Sequence, residues 1–133
     1  PDAGGKPVRT YLKDAWRYQP GGGWAAIAAI PHAVVAAPTP APVSGTDHFL
    51  VAGGDDGNLA GVKPGAAHPG FPRSVLAYDI TGDTWSPLPG IPPEIAPPVT
   101  TPVTRWGGQY VIASGEVRPG IRSPQMISLK TDP

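Results

Sequence analysis

Two carboxylates stand at matching places in this chain, each directly after a glycine that ends a short apolar run. Asp55 follows Phe49-Leu50-Val51-Ala52-Gly53-Gly54, and Glu116 follows Tyr110-Val111-Ile112-Ala113-Ser114-Gly115. Basic residues come soon after both: Arg118 and Arg122 behind Glu116, Lys63 and Arg73 behind Asp55. A positioned carboxylate can take up and return a proton, and a guanidinium can grip an anion through two parallel hydrogen bonds. Solvated loops carry the same residue types, so a frame is needed that says where these side chains point. His32, His48 and His68 fall on different segments without ligand spacing, and no metal site is expected from them.

The frame is an internal repeat. Shifted by 61 positions, Trp24 falls on Trp85, Ile27 on Leu88, Ile30 on Ile91 and Pro31 on Pro92. The same shift lays Phe49-Leu50-Val51-Ala52-Gly53-Gly54 over Tyr110-Val111-Ile112-Ala113-Ser114-Gly115. Two separate apolar segments keep one register, which is the mark of a repeat architecture.

Composition points to strands. Gly 18 and Pro 20 in 133 residues supply turns, while 40% apolar residues with four Trp and four Tyr exceed what a disordered tail carries. Short apolar runs between turn residues read as all-β. Ten basic and ten acidic residues cancel without any like-charge run, so no nucleic-acid stripe is expected, and no apolar stretch approaches a membrane span. Residues 1–6 lack the basic and apolar regions of a secretory signal, and the chain opens without Met in loop-like sequence, which leaves export open. With no cysteine there is no disulfide and no thiolate site.

Each unit has the parts of a four-stranded meander, with strands a to d running from the inside of a ring outward. The run at residues 49–52 is an inner strand expected to be buried on both faces. Ser74-Val75-Leu76-Ala77-Tyr78-Asp79 is the next strand, Thr81-Gly82-Asp83-Thr84 a turn, and Trp85 opens the outer strand. Tyr18, the glycines at 21–23 and Trp24 repeat that pattern, with Tyr and Trp placed to pack across the hairpin. Residues 8–31 are then strands c and d of a first blade, 32–92 a complete blade, and 93–133 strands a to c of a third. Propellers close with four to eight blades, so this is an incomplete ring with apolar blade faces left bare. Either further blades lie outside this sequence or copies associate, and the reading adopted is an incomplete coding sequence. Asp55 and Glu116 then head equivalent connections at one rim, facing the hub. Trp106, ahead of Gly107-Gly108 at the opposite end, is expected to be a packing residue.

The glycine pair Gly53-Gly54 followed by Tyr78 and Trp85, with Tyr18 and Trp24 before and Ser114-Gly115 after, resembles the Kelch signature. Within it, Gly115-Glu116-Val117-Arg118-Pro119-Gly120-Ile121-Arg122 is similar to a segment of bacterial N-acetylneuraminate epimerases, six-bladed Kelch mutarotases of sialic acid; Ser114 stands where that family has Asn. The resemblance implies Glu116 as catalytic base and Arg122 as an essential arginine. Arg118, Asp55 and Arg73 would be weaker substrate contacts. It also implies an acidic-sugar substrate, no metal or organic cofactor, and a periplasmic setting. Anomers interconvert by ring opening, which needs a proton removed from the anomeric hydroxyl and one delivered to the ring oxygen; one carboxylate can do both in turn. Two other readings stay open: a non-enzymatic Kelch module binding a protein or carbohydrate, and a copper oxidase of the galactose oxidase type, which needs a Cys these blades lack.

Overall fold

The computed structural model describes residues 4, 5 and 7–131; residues 1–3, 6, 132 and 133, where the expected propeller segment starts and stops, lie outside it. The described residues form nine strands and no helix: β1 (Ala15–Gln19), β2 (Gly23–Ile27), β3 (Val43–Ser44), β4 (His48–Ala52), β5 (Val75–Asp79), β6 (Thr84–Leu88), β7 (Val103–Trp106), β8 (Gln109–Arg118) and β9 (Ile121–Leu129). They make three antiparallel sheets, ordered β1-β2, β3-β4-β5-β6 and β7-β8-β9, and no barrel closes. The chain is all-β, with the sheet arrangement of a β-propeller fragment.

The middle sheet shows why these residues become strands. Asp79 ends β5, and its carboxylate accepts from the N–H groups of Thr81 (2.8 Å) and Gly82 (2.9 Å), which turns the chain into β6. Tyr78 and Trp85 then meet across the hairpin with ring centroids 4.8 Å apart, and Phe49 of β4 stacks against both. In the first sheet, Tyr18 and Trp24 repeat the pair at 5.2 Å. Side chains alternate between faces, so Leu76 and Tyr78 are buried on one side of the sheet and Leu50 and Ala77 on the other.

Each face meets a neighbouring sheet. Towards the first, the Ala28 backbone is clamped: its N–H donates to the Asp83 carboxylate (2.7 Å) and its carbonyl accepts from the Trp85 indole (2.8 Å). The same Asp83 oxygen accepts the Tyr78 hydroxyl at 2.6 Å. Towards the third, Leu50, Val75 and Leu88 face Ile112, Ile127 and Leu129 across an apolar cleft of about 480 Å³. The inner connections also bind each other directly. Thr39 N–H donates to Thr101 O, Val103 N–H to Thr39 O and Thr100 N–H to Ala36 O.

Three expectations are corrected. The segment at 115–122, expected as a loop, is a hairpin: β8 runs on through Arg118 and β9 starts at Ile121, with irregular register after Ala113 and after Glu116. A second glycine at position 120, with φ of 79°, permits so tight a tip. Trp106, expected to be packed, is 72% exposed, because its face of the third sheet carries no neighbouring sheet among the described residues. The 61-residue register also fails in the inner connections. From Ile27 to the bridge residue Val35 the chain takes eight steps, and from Leu88 to Val99 it takes eleven.

Burial first, and then the bond to Asp83, pushes the Tyr78 phenol from 10.0 up to about 12. A raised pKa in the fold stabilises the protein fully below the unfolded value and loses that contribution as the phenol ionises. Stability should therefore fall as pH rises from about 10 through about 12, and Tyr78→Phe should remove that part of the alkaline slope, measured as urea midpoint against pH.

Candidate functional site

Asp55 and Glu116 are held by the same backbone device. Asp55 and Val35 exchange both N–H···O bonds (2.8 and 2.9 Å), and Glu116 and Val99 do the same (3.0 and 2.8 Å). Each carboxylate-bearing residue is thus pinned to the inner connection that enters its own sheet. That approach needs a residue without a side chain just before it. A Cβ on Gly54 would lie 2.5 Å from Val34 Cγ1, and one on Gly115 2.5 Å from Pro98 Cβ and 3.1 Å from Thr101 Cγ2. Both glycines also take positive φ, 89° and 137°. The partners on the inner connection share a conformation too: Ala36 and Thr100, each following its bridge valine, have φ of 56° and 55°. For β-branched Thr this is a costly region, held by the surrounding pairing.

Glu116 lies directly opposite Arg122 in the β8–β9 register, so the two side chains leave the same face of the hairpin. Glu116 Oε1 accepts the Gly120 N–H at 3.0 Å, which ties the carboxylate to the hairpin tip; among the described residues its other oxygen has no donor. Arg122 is exposed, and among the described residues no ion pair joins it to Glu116. Arg118, half-buried, donates from Nε to the His68 carbonyl at 2.6 Å and so braces the long connection at residues 55–72. Asp55 accepts the Tyr11 hydroxyl (3.2 Å) and the Gly57 N–H (2.9 Å) and lines a cavity beneath that connection; Glu116 does not line it. Lys63 is exposed on the connection itself.

Arg73 has a structural use. Its two Nη1 hydrogens are shared among the carbonyls of Ile91, Pro92 and Ile95, and its Nη2 donates to Pro93 O at 2.9 Å. The guanidinium gathers the inner connection that is three residues longer, and one repeat earlier the matching position is Leu12. Its donors are engaged by these backbone oxygens, and none of them bonds Glu116.

Sequence reading missed Tyr11 and His68. Tyr11 belongs to no strand and reaches Asp55 from 44 residues away, so no local pattern marks it. His68 sits in what reads as surplus loop, yet is 3% exposed. The three histidines engage separate partners: Ser74 Oγ for His32, Asp47 for His48 and the Gly70 N–H for His68. Among the described residues no group of three His, Cys, Asp or Glu converges. No protein-family model matches the sequence, and no curated protein matches it significantly.

Chemically, the hairpin offers one carboxylate with a free oxygen beside one unengaged guanidinium. Gly115→Ala should lower stability by about 2 kcal/mol or more, through both the positive φ and the contact with Pro98, read from urea denaturation. Arg73→Met should cost about 1–2 kcal/mol by the same measurement, since its carbonyl partners are partly solvated.

Proposed function

We propose that these sheets are Kelch-type blades and that they belong to a mutarotase-like protein acting on an acidic sugar such as N-acetylneuraminate. The observation that carries this reading is the register pair of Glu116 and Arg122 on one face of the β8–β9 hairpin. The pair supplies the two groups that the reaction needs. Arg122, unengaged among the described residues, holds the substrate carboxylate next to the anomeric carbon through paired hydrogen bonds. The free oxygen of Glu116 takes the proton of the anomeric hydroxyl, and the carboxyl then returns a proton to the ring oxygen as the ring opens; reclosure runs the same transfers backwards. The Gly120 N–H fixes the carboxylate during both transfers. Kelch character is supported by the glycine pair, the Tyr–Trp hairpins and the four-stranded meander. Further blades of the same kind are the partners proposed for the bare faces, where Trp16, Tyr18, Trp24 and Met126 are exposed.

A substrate pocket at the hub draws on several blades. This chain alone is expected to leave the anomer exchange of N-acetylneuraminate unchanged, whereas a ring completed by further blades accelerates it in NMR exchange measurements. In that ring Glu116→Gln lowers the rate by about 10²–10⁴-fold. Wild-type rates in the Gln variant would overturn the assignment.

A further inference from the structure

The cavity that Asp55 lines contains a group with no use in the proton chemistry above. Its walls come from the N-terminal segment (Arg9, Tyr11), from the long connection (Asp55, Asp56, His68, Phe71) and from the tip of the β8–β9 hairpin at Pro119. His68 is almost wholly buried there. Its Nδ1 accepts the Gly70 N–H at 3.1 Å, which places the ring proton on Nε2. Nε2–H has no acceptor among the described residues, yet none of their polar side-chain atoms is both sealed from solvent and unpartnered. Nε2 therefore keeps some access to solvent, and the ring lines this cavity. A buried donor left open in this way is completed by whatever fills the space.

We propose that this cavity binds a short polyol segment, three or four adjacent carbons bearing hydroxyl groups. The volume is about 130 Å³, and a water occupies about 30 Å³, so the space matches about four waters. The chemistry of the wall selects among ligands of that size. Asp55 already accepts from Tyr11 and Gly57, and Asp56 twice from Asn58; their remaining lone pairs take only donors, whereas His68 Nε2–H requires an acceptor. A hydroxyl group is both. An ammonium group can donate to the carboxylates but cannot accept from His68. An anion would satisfy His68 and Arg9 at the cost of facing two carboxylates. The rings of Tyr11 and Phe71 offer flat apolar surface to the carbon–hydrogen faces of such a chain. The connection is held in place from both sides, by Tyr11 OH on Asp55 and by Arg118 Nε on His68 O, so the cavity is formed before the ligand arrives.

This site goes beyond the proposed sugar chemistry and stands without it. The polyol is either a free molecule or the exocyclic arm of a sugar, and the two are separated by the probe. The test follows the His68 ring resonances by NMR while the chain is titrated with erythritol and, separately, with N-acetylneuraminate, whose arm carries three hydroxyls. Saturable shifts of His68 with erythritol alone identify a free polyol; saturable shifts with N-acetylneuraminate identify a sugar arm. His68→Asn keeps an acceptor for the Gly70 N–H while removing the Nε2 donor, and should weaken binding about tenfold. Asp56→Ala, at an unburied wall position, provides the same comparison if His68→Asn does not fold. Shifts that stay linear with both probes, or affinity unchanged in the variants, would overturn the proposal.

Discussion

The architecture rests on a backbone pairing that only a glycine permits. The residue after Gly54 and the residue after Gly115 each exchange two hydrogen bonds with a valine of the connection entering the sheet. With a side chain at either glycine, the two segments could not approach. Because the contact is made by main chain, it recurs where the flanking residues differ: Val34 and Ala37 crowd Gly54, whereas Pro98 and Thr101 crowd Gly115. The carboxylate that follows is delivered to the same place in successive units whatever the packing around it. Function can then vary at the delivered position, Asp in one unit and Glu in the next, while the scaffold stays constant.

The junction between the first and second sheets depends on a second, electrostatic device. Asp83 lies in the β5–β6 turn and accepts from the Ala28 N–H of the neighbouring unit and from Tyr78 beneath it. These donors, Ala28 first, hold its carboxyl below the usual carboxylate range. The Trp85 indole N–H donates to the carbonyl of the same residue, Ala28. A turn residue and two aromatic residues spaced along one hairpin thus serve two purposes at once: they shape their own sheet and they grip the next.

Much of the fold was legible because its period is carried by residue types with strong local meaning. Glycine pairs, turn residues at 81–84 and the Tyr–Trp pairs each act within a few residues, and the strands follow from them. The inner connections were not legible in the same way. Their equivalence spans 64 positions, from Val35 to Val99, because three extra residues wrap on Arg73; an ungapped shift passes over this. Reading 115–122 as a loop failed for a related reason: Pro and Gly at 119 and 120 mark a turn but do not say that pairing continues to within a residue of it. At the candidate site, Glu116 and Arg122 were visible as residue types, and their cross-strand register was not. His68 and Tyr11 owe their places to contacts 44 to 50 residues away in sequence, which no local pattern encodes.

The hydrogen bonds that run directly between successive inner connections, through Thr39, Thr100, Thr101 and Val103, have an evolutionary consequence. They set the angle between one sheet and the next through peptide groups, which every amino acid possesses. Substitutions in the apolar surfaces between sheets can change their packing while these bonds keep neighbouring sheets linked. Side chains can thus drift far between such sheets while their main-chain tether stays in place.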